Sequence, residues 1–147
     1  MYRHALVAID LTEPAAGSVL RHARALLADD AELTVVHVVE PQYVQYSFDP
    51  TFTGSMIASL EAEARRSATR RVAELCEPFG IPEDSQLILE GRTAHVLHAQ
   101  LEDGPYDLLI MGTHGRHGWR LMLGSTANAL LHDTPVDMQV CRIDADT

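Results

Sequence analysis

The chain has 147 residues, 46% of them apolar, with 21 acidic and 11 basic side chains and a formal net charge of −10. That length fits one domain over residues 1–147, with a core large enough to need neither metal nor disulfide. The negative balance argues against nonspecific binding to nucleic acid or acidic membranes. Every basic residue is arginine, which excludes a P-loop lysine, a Schiff-base lysine and the lysine of a receiver domain. No apolar run approaches the roughly 18 residues of a membrane span, so no membrane insertion is expected. Met1 to Asp10 reads as a strand rather than a leader peptide, because its apolar stretch is short and ends in an acid. A cytoplasmic location is the resulting expectation. Cys76 and Cys141 lack a paired spacing and read as small core residues.

In chain order, residues 4–9 are nearly all apolar, as a central parallel strand buried on both faces should be. Thr12 and Pro14 suit the start of a helix, and Ala16, Val19, Leu20, Ala23, Leu26 and Leu27 recur at helical spacing. Residues 33–39 form a second, β-branched strand stopped by Pro41. A segment over 42–54 follows, carrying Tyr43, Tyr46, Phe48 and Phe52; it either packs as a loop onto the body or a partner, or covers a ligand.

The longest helix is expected over 55–79, with Ile57, Leu60, Ala64, Ala68, Val72, Leu75 and Phe79 on its buried stripe. Glu61 and Arg65 are placed to pair, and Arg65, Arg66, Arg70 and Arg71 read as a solvated face. Gly80-Ile81-Pro82 ends that helix. A third strand over 86–89, a helix over 93–101, a fourth strand over 107–111 and a last strand over 136–143 complete the series. His95 and His98 share a helix face without a third ligand at metal spacing, so no metal site is expected.

Between the fourth strand and the last helix runs Gly112-Thr113-His114-Gly115-Arg116-His117-Gly118, reaching Gly124-Ser125-Thr126. Residues 112–132 contain no acid but include Arg116 and Arg120. Strand, glycine-rich turn and helix start form an arrangement suited to an anion, since backbone N–H groups can approach it closely. The alternative is that Gly112 and Gly115 are turn glycines and that Ser125 or Thr126 only caps a helix.

Strand–helix alternation closed by a fifth strand implies a doubly wound parallel α/β sheet with helices on both faces. Ligands then bind at the carboxyl ends of the strands, where the order reverses, between the first and fourth. Asp10 ends the first and Gly112 the fourth, so two independent signals point to one crevice.

Three blocks of residues, 7–13 (Val7-Ala8-Ile9-Asp10-Leu11-Thr12-Glu13), Val36-His37-Val38 and the 112–126 loop, resemble the universal stress protein family over essentially the whole chain. The first block and Asp137-Met138 resemble its A-type members. The resemblance implies a Rossmann-like fold of the adenine nucleotide alpha hydrolase kind, with the five strands in the order 3-2-1-4-5. It also implies an adenine nucleotide, ATP, ADP or AMP, with Mg²⁺ as companion ion. Asp10 would face ribose and adenine, Val38 would line the adenine pocket, and Gly112, Gly115, Arg116, Gly124, Ser125 and Thr126 would hold phosphate. The family's loop is written Gly-x2-Gly-x9-Gly-Ser/Thr; here eight residues separate Gly115 from Gly124. One residue shifts a chain by up to about 3.3–3.6 Å, enough to move a donor off a phosphate unless the loop absorbs it. A-type members lacking most of these glycines work without nucleotide, through protein partners, and that alternative stays open here. The resemblance further implies a homodimer through Val136 to Ile143, and a binding protein rather than an enzyme, with slow ATP hydrolysis as its most active form.

Overall fold

The computed structural model describes residues 1–11, 16–41, 49–113 and 125–143. Five strands, β1 (His4–Ala8), β2 (Glu32–Val39), β3 (Gln86–Glu90), β4 (Leu108–Gly112) and β5 (Asp137–Cys141), form one sheet in the order β3-β2-β1-β4-β5. Every pairing is parallel, as strand–helix alternation requires. In the centre, Leu6 stands opposite Thr34 on one side and Leu109 on the other. Four helices are described: α1 (Ala16–Leu26), α2 (Gly54–Cys76), α3 (Thr93–Asp103) and α4 (Ser125–Leu131).

The period-two alternation of the central strands divides the core into two layers. Ala5, Val7, Leu33, Val35, Leu108 and Ile110 face α1 and α2. Leu6, Val36, Val38, Leu109 and Met111 face α3 and α4. Both cysteines are buried, as their composition suggests, and desolvation pushes the Cys76 thiol up to about 11.

The ends of α2 follow local chemistry. Thr53 caps its start, accepting the Met56 N–H on its side-chain oxygen at 3.2 Å. The α-helix stops at Cys76, and Pro78 lies in a single 3₁₀ turn, Glu77–Phe79, that Gly80 closes at φ 64°. The helix expected over 55–79 thus begins one residue earlier and ends three residues earlier as an α-helix. The buried stripe also needs correction: of the residues expected on it, Ala68 and Val72 are buried, Ile57, Ala64, Leu75 and Phe79 are only half-buried and Leu60 is exposed, while Cys76 is buried as well. Arg65 pairs with Glu90 of β3 at 2.9 Å rather than with Glu61.

In β5, exposed Asp137 and Gln139 alternate with half-buried Met138 and Val140, and Cys141 at its end is buried. Thr12 and Pro14, Tyr43, Tyr46 and Phe48, and the tail after Ile143 lie outside the described residues; Phe52 is half-buried.

Candidate functional site

The reversal of strand order between β1 and β4 leaves their carboxyl ends without a helix crossing between them, and a cavity of about 590 Å³ opens there. Its floor is the ends of β1, β2 and β4. Ile9, Asp10 and Leu11 follow β1, Val38 and Glu40 close β2, and Gly112 and Thr113 close β4. The α3/α4 side contributes Thr93, Leu97, Ser125 and Thr126, and the α1/α2 side Val19, Ala64, Ser67 and Arg71.

Five residues singled out from the sequence, Asp10, Val38, Gly112, Ser125 and Thr126, therefore line one cavity although they are drawn from three strand ends and one helix start. Val38 is buried and gives an apolar wall; Asp10 is half-buried. Ser125 and Thr126 are the first two residues of α4. Gly115, Arg116 and Gly124, with the shortened spacing from Gly115 to Gly124, lie outside the described residues.

Gly112 has a packing reason to be glycine besides any ligand. A Cβ built there would lie 2.2 Å from Ile143 Cδ1 and 2.9 Å from Val19 Cγ2. The end of β4 is thereby drawn against the segment after β5. Thr113 completes that junction: its N–H donates to the Cys141 carbonyl at 2.9 Å, and its buried hydroxyl accepts the Ile143 N–H at 3.1 Å.

The first strand's end is held just as firmly. The Ile9 N–H donates to the Val36 carbonyl at 3.0 Å. His37 Nδ1 donates to the Ile9 carbonyl at 3.0 Å, which fixes the tautomer with its proton on Nδ1, because a carbonyl only accepts. Asp10 is thus presented from a backbone pinned on both sides of Ile9.

Two cavity residues escape a sequence reading. Glu40 reaches the start of α3, where its carboxylate accepts the Thr93 hydroxyl at 2.6 Å and the Thr93 N–H at 3.1 Å. Those bonds, hydroxyl first, hold its pKa below the ordinary carboxylate value, aided by Arg92 and opposed by burial and by Asp10. The signal was present, since an acid ends each of the first two strands. Arg71 was grouped with a solvated face, yet it lines the cavity and donates to the Leu11 carbonyl. Its place could have been found from spacing: it lies three, four and seven residues after Ala68, Ser67 and Ala64.

A model described as the universal stress protein family matches residues 1–142. The chain belongs to that family. A relative of this universal stress protein, the universal stress protein A homolog 1 of Coxiella burnetii, is 36% identical over 139 residues, covering 93% of this chain and 94% of the relative. Among solved structures, a hypothetical protein studied for structure-based assignment of its biochemical function superposes with a TM-score of 0.77 at 20% identity, covering 98% of each chain. A universal stress protein in complex with cAMP superposes at 0.59 and 16% identity, covering 95% of this chain and 96% of its own. At these identities the solved structures share the fold. Among the described residues no helix is long and apolar enough to cross a membrane, and no group of three or more His, Cys, Asp or Glu is placed to hold a metal ion.

Proposed function

We propose that this universal stress protein binds an adenine nucleotide in the crevice between β1 and β4. The observation carrying the proposal is the convergence of Asp10, Val38, Gly112, Ser125 and Thr126 on one cavity of about 590 Å³. That volume falls within the roughly 300–1,000 Å³ of small-molecule sites. The pocket combines what such a ligand requires: an apolar wall at Val38, a carboxylate at Asp10 and hydroxyls at Ser125 and Thr126. The family membership and the solved relative in complex with cAMP support the same ligand class.

In this reading Val38 packs on the base, Asp10 accepts hydrogen bonds from the ribose, and Ser125 and Thr126 donate to phosphate. Gly112, Gly115 and Gly124 give backbone access, and Arg116 adds positive charge. Mg²⁺ would accompany ATP as a ligand of its phosphates. The protein works as a cytoplasmic stress-response binding module, not primarily as a catalyst. It dimerises through Val136 to Ile143, where β5 is the last strand of the described sheet and so a candidate for edge pairing.

The test is chemical. Denaturing the purified protein should release adenine nucleotide, and calorimetric titration with ATP, with and without Mg²⁺, should saturate at one site per chain. Asp10→Ala should weaken binding at least tenfold, the worth of one charge-assisted hydrogen bond at about 1.5–3 kcal/mol. Neither released nucleotide nor heat on titration would reject the reading in favour of a stress protein acting through protein partners alone. Sedimentation showing only a 16.2 kDa species at micromolar concentration would reject the dimer.

A further inference from the structure

One face of α2 looks into the crevice with Ala64, Ser67, Ala68 and Arg71. The first three are short, so the guanidinium at the fourth can reach across to the turn after β1. There Nη2 of Arg71 donates to the main-chain carbonyl of Leu11. This is the residue next to Asp10, and its own side chain is buried. The backbone on the other side of Asp10 is fixed independently, by the Val36 carbonyl and the His37 ring acting on Ile9. Asp10 therefore sits between two tethers from different elements. One comes from β2 within the sheet, and the other is a single side chain from a helix.

We propose that Arg71 is a positioning residue for nucleotide binding, holding the Asp10–Leu11 turn in place through the Leu11 carbonyl; this rests on the nucleotide reading above. Arginine suits the task. Its guanidinium stays charged at any working pH, and a charged donor strengthens the bond to a neutral carbonyl. Acting through the backbone beside Asp10, it serves the ribose and base end of the ligand. Its loss should then be felt equally by every adenine ligand, whatever its phosphate count. A direct phosphate contact would instead be felt by ATP and not by adenosine.

The experiment compares Arg71→Met, which keeps the stem and removes the donors, with Arg71→Lys, which restores a donor. Arg70→Met, one position away and also exposed, is the control. Affinities for ATP, AMP and adenosine are measured alongside amide hydrogen exchange at Asp10 and Leu11. Arg71→Met should weaken all three ligands by about tenfold and speed exchange at the two amides. Arg71→Lys should recover most of both effects, and Arg70→Met should change neither. Wild-type affinity in Arg71→Met, or a loss confined to ATP, would overturn the proposal. If the wild-type chain binds none of the three, the nucleotide reading fails by itself. The tether is then judged on exchange alone, and unchanged exchange in Arg71→Met refutes it.

Discussion

The two ends of the parallel sheet are built oppositely. At the amino end, short polar bonds tie β1 and the residues before it to the neighbouring strands. The Asp107 carboxylate accepts the backbone N–H groups of Arg3 and His4 at 2.8 and 3.0 Å. His4 Nε2 lies 2.8 Å from the Thr34 hydroxyl and its Nδ1 3.3 Å from Glu32, while the Tyr106 ring packs edge-on against it at 4.8 Å. Tyr2 donates to Asp137 at 2.7 Å, tying the chain start to β5. At the carboxyl end, the comparable polar groups bond sideways to neighbouring segments: Thr113 to Ile143, Glu40 to Thr93, Arg71 to Leu11. They frame a space instead of filling it. The polar groups of one end hold the strands together, and those of the other hold the walls of a cavity apart.

The sharpest test of that contrast is at Gly112. A β-branched side chain there must displace Ile143 and Val19, so Gly112→Val should cost about 1–3 kcal/mol by overpacking. Thr113→Val should cost a similar amount, because it strands the N–H of Ile143 in a buried setting. Urea denaturation measures both. Losses below about 0.5 kcal/mol would mean that the junction of β4 with the segment after β5 is loose, and that this wall of the crevice is not fixed in advance.

This junction also marks the boundary of what the sequence discloses. The parallel sheet follows from alternation of apolar strands with helical spacing, a signal carried by dozens of residues at once, whereas its order rests on the family resemblance. Asp10 and Gly112 were legible because topology alone puts the ends of the first and fourth strands together. Gly112 was read as a ligand-facing glycine, and its contact with Ile143 was invisible because it joins residues 31 apart with no periodicity to link them. Arg71 was hidden for a different reason. Its neighbours Arg65, Arg66 and Arg70 are charged and exposed, and the one arginine turned toward the cavity is told apart only by the small residues preceding it on the same face. The α2 stripe shows the remaining limit. Period 3.6 assigns a face, but burial also needs an opposing surface, and among the described residues Leu60 stays 37% exposed.

At the amino end, Asp107→Asn should cost about 1 kcal/mol, reduced by exposure, since an amide oxygen accepts the Arg3 and His4 N–H groups less strongly than a carboxylate. Acid sharpens the comparison. The Arg3 N–H, above all, holds the pKa of Asp107 below its ordinary value, as the Thr93 hydroxyl does for Glu40. With a depressed pKa in the folded chain, each carboxylate contributes stability that is complete above its ordinary value and lost as pH falls through the folded value. Stability should therefore decline as the pH falls below the ordinary carboxylate values, 4.5 for Glu40 and 3.8 for Asp107. Asp107→Asn should flatten that decline from the amino end, and Glu40→Gln from the crevice end. A double variant whose acid profile matched the wild type would show that neither carboxylate is linked to folding.

The smallest effect is expected where the open end is least covered. Leu60 stands on the amino-terminal half of α2 at 37% exposure, while Val72, three turns further along the same helix, is fully buried. Truncating Val72 to Ala should cost about 1–3 kcal/mol through lost burial and the cavity left behind. Leu60→Ser should stay within about 0.5 kcal/mol, as exposed substitutions do. If Leu60→Ser instead costs more than 1 kcal/mol in the nucleotide-free chain, something covers that face, and the carboxyl end is less open than its described residues make it. If its cost emerges only when nucleotide is present, the overhanging half of α2 belongs to the crevice wall, and the frame that Arg71 helps to hold extends one to two turns further up the helix.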